Sequence, residues 1–448
     1  MTHPDTPDTP DTPVGATAAR RTGIRWRLAV LAGVGVVITN IDRSAISVAL
    51  PYMSKDLHIS SVAQGFVLGW FFLAYAAFLL PIGYLVDKLG ARLAYGVGAL
   101  VWGAATVATA AVQGVGALLS LRLLLGAGES TQYPSCTKAT NEWFPRRERT
   151  AATAVWDIGA RVGGVLTLPL MSGIIAWAGW RAAFVVVGAL ALVWALGWLV
   201  EYRSPETHPR VNRAEREHIA ADQAPADPPE AAQVRWLDLF RLRATWGLVI
   251  GYFCFNYVAY FFITWFPTYL VEARHFSLLT LGVFGAVPGI VAVLSELASG
   301  FLQDRLIAGG RSVNAVRKGF IVAGMLVSSL IATAVVAPNA ATALLLLSIS
   351  YGALLIGGPS LGTFPGEFAP TARHIGSLAG IQNSAGNVAG FLGPVVTGAL
   401  VASTGSFLVP LLITGALAIV GAVNYVVFLP AIRHRPAPAA AVPVPSAD

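Results

Sequence analysis

The chain has 448 residues, of which 55% are hydrophobic and only 12% charged, and its mean hydropathy is +0.66. Soluble domains carry about 25% charged residues, so this composition excludes an ordinary globular domain. The formal net charge is +7. The two cysteines, Cys136 and Cys254, lie in separate apolar stretches and indicate neither a disulfide framework nor a metal site.

The chain ends are polar and rich in proline. The repeat "PDTPDTPDTP" near the N-terminus and the C-terminal "RPAPAAAVPVPSAD" predict disordered tails at residues 1–24 and 431–448. No short apolar core with a small-residue cleavage site follows the repeat, so we predict no cleaved signal peptide.

Twelve apolar stretches lie between these tails, each about 20 residues long, which is the length a helix needs to cross a bilayer. A polar central loop at 203–243 separates them into an N-terminal half, 25–202, and a C-terminal half, 244–430. The predicted spans are 27–52, 62–85, 93–112, 115–139, 151–175, 180–201, 245–271, 277–302, 317–337, 340–366, 374–402 and 406–430.

Basic residues in the predicted loops are concentrated on one side of the membrane. That side holds both termini and the central loop, whereas the other side has only Lys55, Arg181 and Arg274. Cytoplasmic loops carry the excess of Lys and Arg, so we predict an inner-membrane protein, surrounded by lipid, with both termini cytoplasmic. The same bias accounts for the net charge, and we predict no nucleic-acid partner.

Three motifs recur in the same order in the two halves, at a nearly constant offset. The pairs are "GYLVDKLGAR" (83–92) with "GFLQDRLIAGGR" (300–311), "EWFPRRER" (142–149) with "EFAPTARH" (367–374), and "WDIGARVGG" (156–164) with "QNSAGNVAG" (382–390). The halves are therefore predicted to be duplicates. Parallel repeats with a substrate site between them near mid-membrane are typical of many secondary transporters.

The motif "GYLVDKLGAR" resembles the signature loop between spans two and three of the major facilitator superfamily. The "DR" of span one, "RLLLGAGES" followed by "NEWFPRRER", and "QNSAGNVAG" resemble the anion:cation symporter family. The resemblance covers about 25–430. It implies an all-α polytopic membrane protein with 12 transmembrane helices in two pseudo-symmetric six-helix halves.

The resemblance also implies a proton-coupled symporter that imports a small organic anion, such as a sugar acid, an aromatic acid or a dicarboxylate. An organic anion exporter or uniporter on the same fold is an alternative, and a non-transporting sensor is another. We predict no enzyme activity, since no nucleophile–base pair or metal-ligand cluster stands out. The proton is the coupling ion, with no other cofactor and no metal, and the carrier is predicted to act as a monomer.

Ionisable side chains inside the predicted spans are candidates for function, because each costs at least about 2.5–3.5 kcal/mol to insert. They are Asp42, Arg43, Arg122, Glu129, Asp157 and Arg161. A carboxylate in an apolar setting can take up a proton near neutral pH because burial disfavours its charged form. None of the seven histidines lies at the centre of a span, so Asp42 and Glu129 are the predicted proton carriers.

Arginine suits an organic anion because its planar guanidinium offers two parallel donors and stays charged. The resemblance assigns Arg43 as the carboxylate anchor and places Tyr75 in the substrate site. Adjacent positions on a helix point about 100° apart, so Asp42 and Arg43 are expected to face different neighbours. Arg122 is expected to pair with Glu129 when that acid is ionised.

Asp157 and Arg161 leave two readings open, because they are one helical turn apart. They can form a self-neutralising pair, or Arg161 can offer a second cation to a substrate with two acidic groups. Asn383 and Asn387 occupy the corresponding positions of the second half and suit a hydroxyl-bearing substrate. Trp156 is also included in the candidate substrate site. Glu296, inside span eight, receives no role.

Six charged residues in the signature loops are predicted to control opening and closing on the cytoplasmic side rather than to contact substrate. They are Asp87, Arg92, Glu142, Arg149, Asp304 and Arg305.

Overall fold

A computed structural model describes residues 21–220, 236–371 and 374–432, and over these ranges it is built from helices without a strand. Most of the two predicted tails and the middle of the central loop lie outside the described residues. We call residues 24–201 the N-terminal bundle and residues 243–427 the C-terminal bundle.

The N-terminal bundle contains two long kinked helices and three shorter ones. They are α1 (Ile24–Leu57), α2 (Ser61–Thr109), α3 (Val115–Glu129), α4 (Gln132–Trp143) and α5 (Arg146–Glu201). The central loop contributes a short helix, α6 (Arg213–Ala220), and a 3-10 turn at Trp236–Arg241.

The C-terminal bundle is divided into more pieces. They are α7 (Arg243–Thr264), α8 (Phe266–Thr268), a π-helical turn (Tyr269–Ala273), α9 (Leu278–Phe284), α10 (Val287–Ala308), α11 (Val313–Ser328), a 3-10 segment (Ser329–Val336), α12 (Ala340–Ile356), α13 (Gly358–Phe368), α14 (Ile375–Thr404) and α15 (Leu408–Val427).

Ten of the described helical stretches are long and apolar enough to cross a membrane. One of them, Arg146–Glu201, has 56 residues, which at about 1.5 Å per residue is length enough for two crossings. The fourth predicted span is not among the ten because α3 and α4 divide it. A count of twelve membrane-spanning helices therefore remains a prediction.

The kinks of the long helices lie at glycines with positive φ. Gly90 (φ 79°) separates the second and third predicted spans, and Gly179 (φ 81°) separates the fifth and sixth. Residues other than glycine rarely adopt this backbone conformation, so glycine allows the chain to reverse direction here without a long loop.

Proline accounts for breaks within three predicted spans of the C-terminal bundle. Helices α8, α10 and α13 each carry a proline in their first turn, at Pro267, Pro288 and Pro359. Proline has no backbone N–H and is tolerated at the start of a helix but not in its interior. Spans seven, eight and ten are consequently discontinuous.

The two bundles share an apolar core at the end of the spans opposite the chain termini. There Ile46 and Met171 of the N-terminal bundle belong to the same buried cluster as Phe266 and Leu281 of the C-terminal bundle. A second cluster, rich in tryptophan and tyrosine, lies at the terminal end, and its buried members come from the N-terminal bundle and the central loop. The cores thus join the bundles at the end opposite the termini.

Candidate functional site

A cavity of about 490 Å³ lies between the bundles and is lined by both. Arg43 on α1 and Arg161 on α5 line it from the N-terminal bundle. Asn256 and Tyr260 on α7, Glu296 on α10 and Tyr351 on α12 line it from the C-terminal bundle. Apolar walls with a few charged and polar groups are typical of sites for small molecules.

Arg43 pairs with Glu129 at the end of α3. Its Nη2 and Nε donate to the same carboxylate oxygen, Glu129 Oε2, at 2.9 and 3.1 Å. The other oxygen, Oε1, is buried and has no hydrogen-bond partner among the described residues. The Arg43 guanidinium also lies 4.9 Å from the centre of the Phe71 ring and 5.2 Å from that of Tyr75.

The break between α3 and α4 determines the position of Glu129. The Thr131 amide bonds the Gly128 carbonyl three residues back at 3.2 Å, which tightens the last turn of α3. Glu129 is the final residue of that helix. Its carboxylate therefore sits where the fourth predicted span is interrupted, facing Arg43 on α1.

The direct contact of Glu129 in this structure is with Arg43 rather than with Arg122, so the expected Arg122–Glu129 pair stays a prediction. Seven residues of helix, about 10 Å of axial rise, separate the two positions on α3, whereas Arg43 reaches Glu129 from the neighbouring helix. Arg122 is buried, and its Nε donates to the Val67 carbonyl at 3.3 Å. Its guanidinium lies 5.2 Å from the centre of the Phe71 ring.

Asp42 faces a different neighbour from Arg43, which confirms the inference from helical geometry. Its side chain is buried, and Oδ2 accepts a hydrogen bond from Thr106 Oγ1 of α2 at 2.6 Å. Oδ1 has no partner among the described residues. Burial of a carboxylate with one donor makes its charged form costly, which suits a group that gains and loses a proton.

Arg161 has two carboxylate partners rather than one. Its Nη1 donates to Asp157 Oδ2 at 3.0 Å, one turn away on α5. Its Nε and Nη2 donate to the two oxygens of Glu296 at 2.9 and 2.6 Å. The Asp157–Arg161 pair expected from the sequence is present. The contact with two hydrogen bonds, however, crosses the cavity to Glu296, which received no role from the sequence.

Four further predicted substrate-site residues, Tyr75, Trp156, Asn383 and Asn387, lie outside the lining of the 490 Å³ cavity. Tyr75 stands behind Arg43, against its guanidinium. Asn387 Nδ2 donates to the Asn383 carbonyl at 3.1 Å, so these asparagines contact each other along α14. Trp156 Nε1 donates to Thr140 Oγ1 at 3.1 Å, which places Trp156 in the packing between α5 and α4 rather than at the cavity.

The predicted gating residues of the N-terminal bundle have partners within that bundle. Asp87 lies 3.7 Å from Lys138, and Arg92 donates to the Leu199 carbonyl. Glu142 accepts from the Tyr202 hydroxyl at 2.8 Å, and Arg149 donates to the Phe144 carbonyl at 3.1 Å. The remaining two, Asp304 and Arg305, are exposed near the end of α10. Control of opening by these six residues remains a prediction.

Several cavity residues were not assigned from sequence. Glu296 is an intramembrane charge and Tyr260 is an aromatic residue near the centre of a predicted span. Neither of them belongs to a recognised motif or is within one helical turn of another charged residue in the chain. Asn256 and Tyr351 carry no signal of their own in the sequence, and neither does Thr106, which contacts Asp42 away from the cavity lining. Their positions follow from how the bundles pack.

Two helical bundles with a cavity between them and buried charges beside it are the architecture of a membrane carrier. The chain belongs to the Major Facilitator Superfamily, whose family model matches residues 32–316. The superfamily resemblance is thereby confirmed, and the protein is a multi-pass membrane protein.

Several similar proteins are named as bacterial transporters of organic acids. The chain is 35% identical to a probable sulfoacetate transporter of Cupriavidus necator over 86% of this chain and 89% of the relative. It is 31% identical to a probable galactarate/D-glucarate transporter of Escherichia coli over 94% and 96%.

Among solved structures, a bacterial homologue of the human lysosomal transporter Spinster, in an inward-facing and occupied conformation, has the same fold. The TM-score is 0.75 at 17% identity, over 90% of this chain and 97% of that one.

Proposed function

We propose that this protein is a proton-coupled symporter that imports a small organic anion across the bacterial inner membrane by alternating access. The observation that supports it most is that Arg43, which lines the cavity between the bundles, pairs with the buried Glu129, and that Asp42 is next to Arg43 in the chain. The relatives' names, which specify sulfoacetate and sugar diacids, support an organic acid as substrate.

Charge balance favours coupling to protons. The described spans hold four central carboxylates against three guanidiniums: Asp42, Glu129, Asp157 and Glu296 against Arg43, Arg122 and Arg161. A substrate anion adds negative charge to a site where charge is poorly solvated. Protonation of a carboxylate offsets that charge, so proton uptake and anion binding support each other.

The Arg43–Glu129 contact suggests how binding and protonation are linked. Glu129 occupies the guanidinium that would hold the substrate carboxylate. When Glu129 takes up a proton, its attraction for Arg43 falls and the guanidinium becomes available. The anion and the proton then enter one state of the carrier together, which is the requirement for symport.

Alternating access fits the way the bundles meet. A Cβ added to Gly398 of α14 would lie 2.4 Å from the Ser61 carbonyl of α2, and one added to Gly65 would lie 2.6 Å from the Pro394 carbonyl. These crossings close the end opposite the termini. With cytoplasmic termini, as the loop charges predict, the state is closed to the outside.

The test is substitution of Glu129, the acid that pairs with the cavity arginine Arg43. Glu129→Gln in proteoliposomes is expected to abolish uptake driven by an acidic outside, because a glutamine side chain can neither take up nor release the coupled proton. Exchange of labelled for unlabelled galactarate should persist, since exchange needs no net proton movement. Asp56→Asn, which removes a half-exposed acid paired with Arg181, is the matched control and should accumulate substrate normally.

Two outcomes contradict the proposal. Accumulation by Glu129→Gln at the wild-type level would exclude this group as the coupling site. Wild-type uptake that is indifferent to the imposed pH gradient would instead favour a uniporter, and outward transport against it would favour an exporter.

A further inference from the structure

Arg161 contacts two carboxylates, whereas a structural ion pair needs only one. Its Nε and Nη2 hold both oxygens of Glu296, at 2.9 and 2.6 Å, while Nη1 holds Asp157 at 3.0 Å. The first contact is the two-pronged geometry in which a guanidinium binds a carboxylate. Arg161 belongs to the N-terminal bundle and Glu296 to the C-terminal bundle, so the fork crosses the cavity.

We propose that Arg161 is a second anion-binding arginine, and that Glu296 occupies on it the place of the second acidic group of a dianionic organic acid. This inference rests on the proposed function, because it concerns the substrate class of the same cavity. The ligand class is a short organic acid with two carboxylates, or with one carboxylate and one sulfonate.

The Arg161–Glu296 pair is accessible from the cavity. Both residues line it, and their side chains remain 31% and 14% exposed. The Arg25–Glu215 pair, which joins the central loop to α1, is 7% and 0% exposed by comparison. A ligand in the cavity can therefore reach Arg161 without unpacking a helix.

Asp157 allows the exchange to occur without leaving Arg161 disordered. It lies one turn from Arg161 on α5 and holds Nη1, which Glu296 does not use. When an acidic group replaces Glu296 on the other two nitrogens, Asp157 still fixes the guanidinium. This division of donors explains why two acids surround one arginine.

The cavity is lined by two arginines, and each of them is paired with a glutamate. Arg43 and Arg161 lie on different helices of the same bundle, line the same space, and each is held by a glutamate. A monoacid needs one of them. Since an intramembrane charge is costly, a second cavity arginine fits a ligand with two acidic groups, each replacing one glutamate.

The test compares matched acids that differ by one acidic group. The pairs are galactonate with galactarate, acetate with sulfoacetate, and butyrate with succinate, measured by calorimetry on the purified full-length protein. Wild type should bind at least one diacid more tightly than its monoacid. Arg161→Gln should lower this diacid preference by about tenfold or more, since one charge-assisted fork is lost.

Three further variants separate the proposal from simple misfolding. Arg181→Gln removes a half-exposed arginine that pairs with Asp56 outside the cavity, and the diacid preference should stay unchanged. Glu296→Gln frees the fork and should raise diacid affinity. The double variant Arg161→Gln/Glu296→Gln leaves no unpaired Glu296, and the Asp157 carboxylate that loses its partner is 45% exposed. This variant should lose the preference as the single arginine variant does.

Each result counts for or against the inference. No diacid bound more tightly than its monoacid, an unchanged preference in the double variant, or diacid affinity lowered in Glu296→Gln would overturn it. Arg43→Gln separates this failure from failure of the proposed function. If monoacid binding persists in Arg43→Gln, the proposed anion site itself is wrong; if it is lost while the diacid preference resists every Arg161 change, only this inference fails.

Discussion

Asp42 and Arg43 are neighbours in the chain with different surroundings. The 100° rotation between successive helical positions turns Asp42 toward Thr106 of α2 and Arg43 toward the cavity and Glu129. Each charge is compensated by a residue from another helix. The sequence "DR" therefore provides two separate electrostatic contacts, and the hydroxyl of Thr106 is part of the first.

Thr106→Val should reveal how much that hydroxyl contributes. Valine keeps the shape of threonine but removes the hydroxyl that donates a hydrogen bond to the buried Asp42 carboxylate. We expect a loss of about 1–3 kcal/mol in the free energy of unfolding, measured by thermal unfolding in detergent. In an Asp42→Asn background the same change should cost clearly less. Equal costs in both backgrounds would mean that the hydrogen bond contributes little.

The most extensive contact between described helices of the two bundles is the crossing of α2 with α14. Gly65 and Gly69 on α2 face Pro394 and Phe391 on α14, and Gly398 faces Ser61. Small residues let helix backbones approach closely in a membrane, where packing rather than the hydrophobic effect drives association. This crossing therefore controls whether the end opposite the termini stays closed.

Gly398→Val should open that end. The added side chain would meet the Ser61 carbonyl and the backbone of Gly65, so α14 must move away from α2. Spin labels can be placed at Ala111 and Ser403, which are both exposed near this end. The distance between the labels, measured by pulsed electron paramagnetic resonance, should become longer. Gly380→Val makes the same change on α14 where a Cβ meets nothing within 4 Å. Equal distances in the two variants would contradict the role of the crossing.

At the scale of the whole molecule, the central loop folds back onto the start of α1. Glu215 of α6 is buried and accepts hydrogen bonds from Thr22 and from the Ile24 and Arg25 backbone amides at 3.3 Å. Arg25 Nη1 adds an ion pair at 3.0 Å. The carboxylate therefore compensates the unpaired amides at the start of α1.

Burial alone raises the pKa of the Glu215 carboxyl, but the hydrogen bonds from Thr22, Arg25 and Ile24 outweigh it and bring the pKa below its usual value of 4.5. A carboxyl whose pKa is lower when folded stabilises the folded state above its unfolded pKa. That stabilisation disappears as the pH falls through the lower, folded value. Docking of α6 is thus expected to be complete at neutral pH and to weaken below pH 4.5.

Glu215→Gln should therefore release α6 at neutral pH. A spin label at residue 216, exposed on α6, should become as mobile in the variant at pH 7 as it is in the wild-type protein in strong acid. Glu217→Gln, which removes the exposed Arg213–Glu217 pair on the same helix, is the matched control and should leave the label immobile. A label that stays immobile in Glu215→Gln would show that apolar contacts alone dock this helix.

The sequence by itself determined the class of protein, its family, the approximate position of its spans and the residues that carry charge into the membrane. These features are local, because apolar length and the cost of a buried charge can be read without knowing the neighbours. Only the tertiary structure decided which charges meet. The partner of Glu129 is Arg43 rather than Arg122, and Arg161 reaches Glu296, 135 residues away. Such pairings depend on helix breaks and bundle packing, which bring together residues that no sequence period relates.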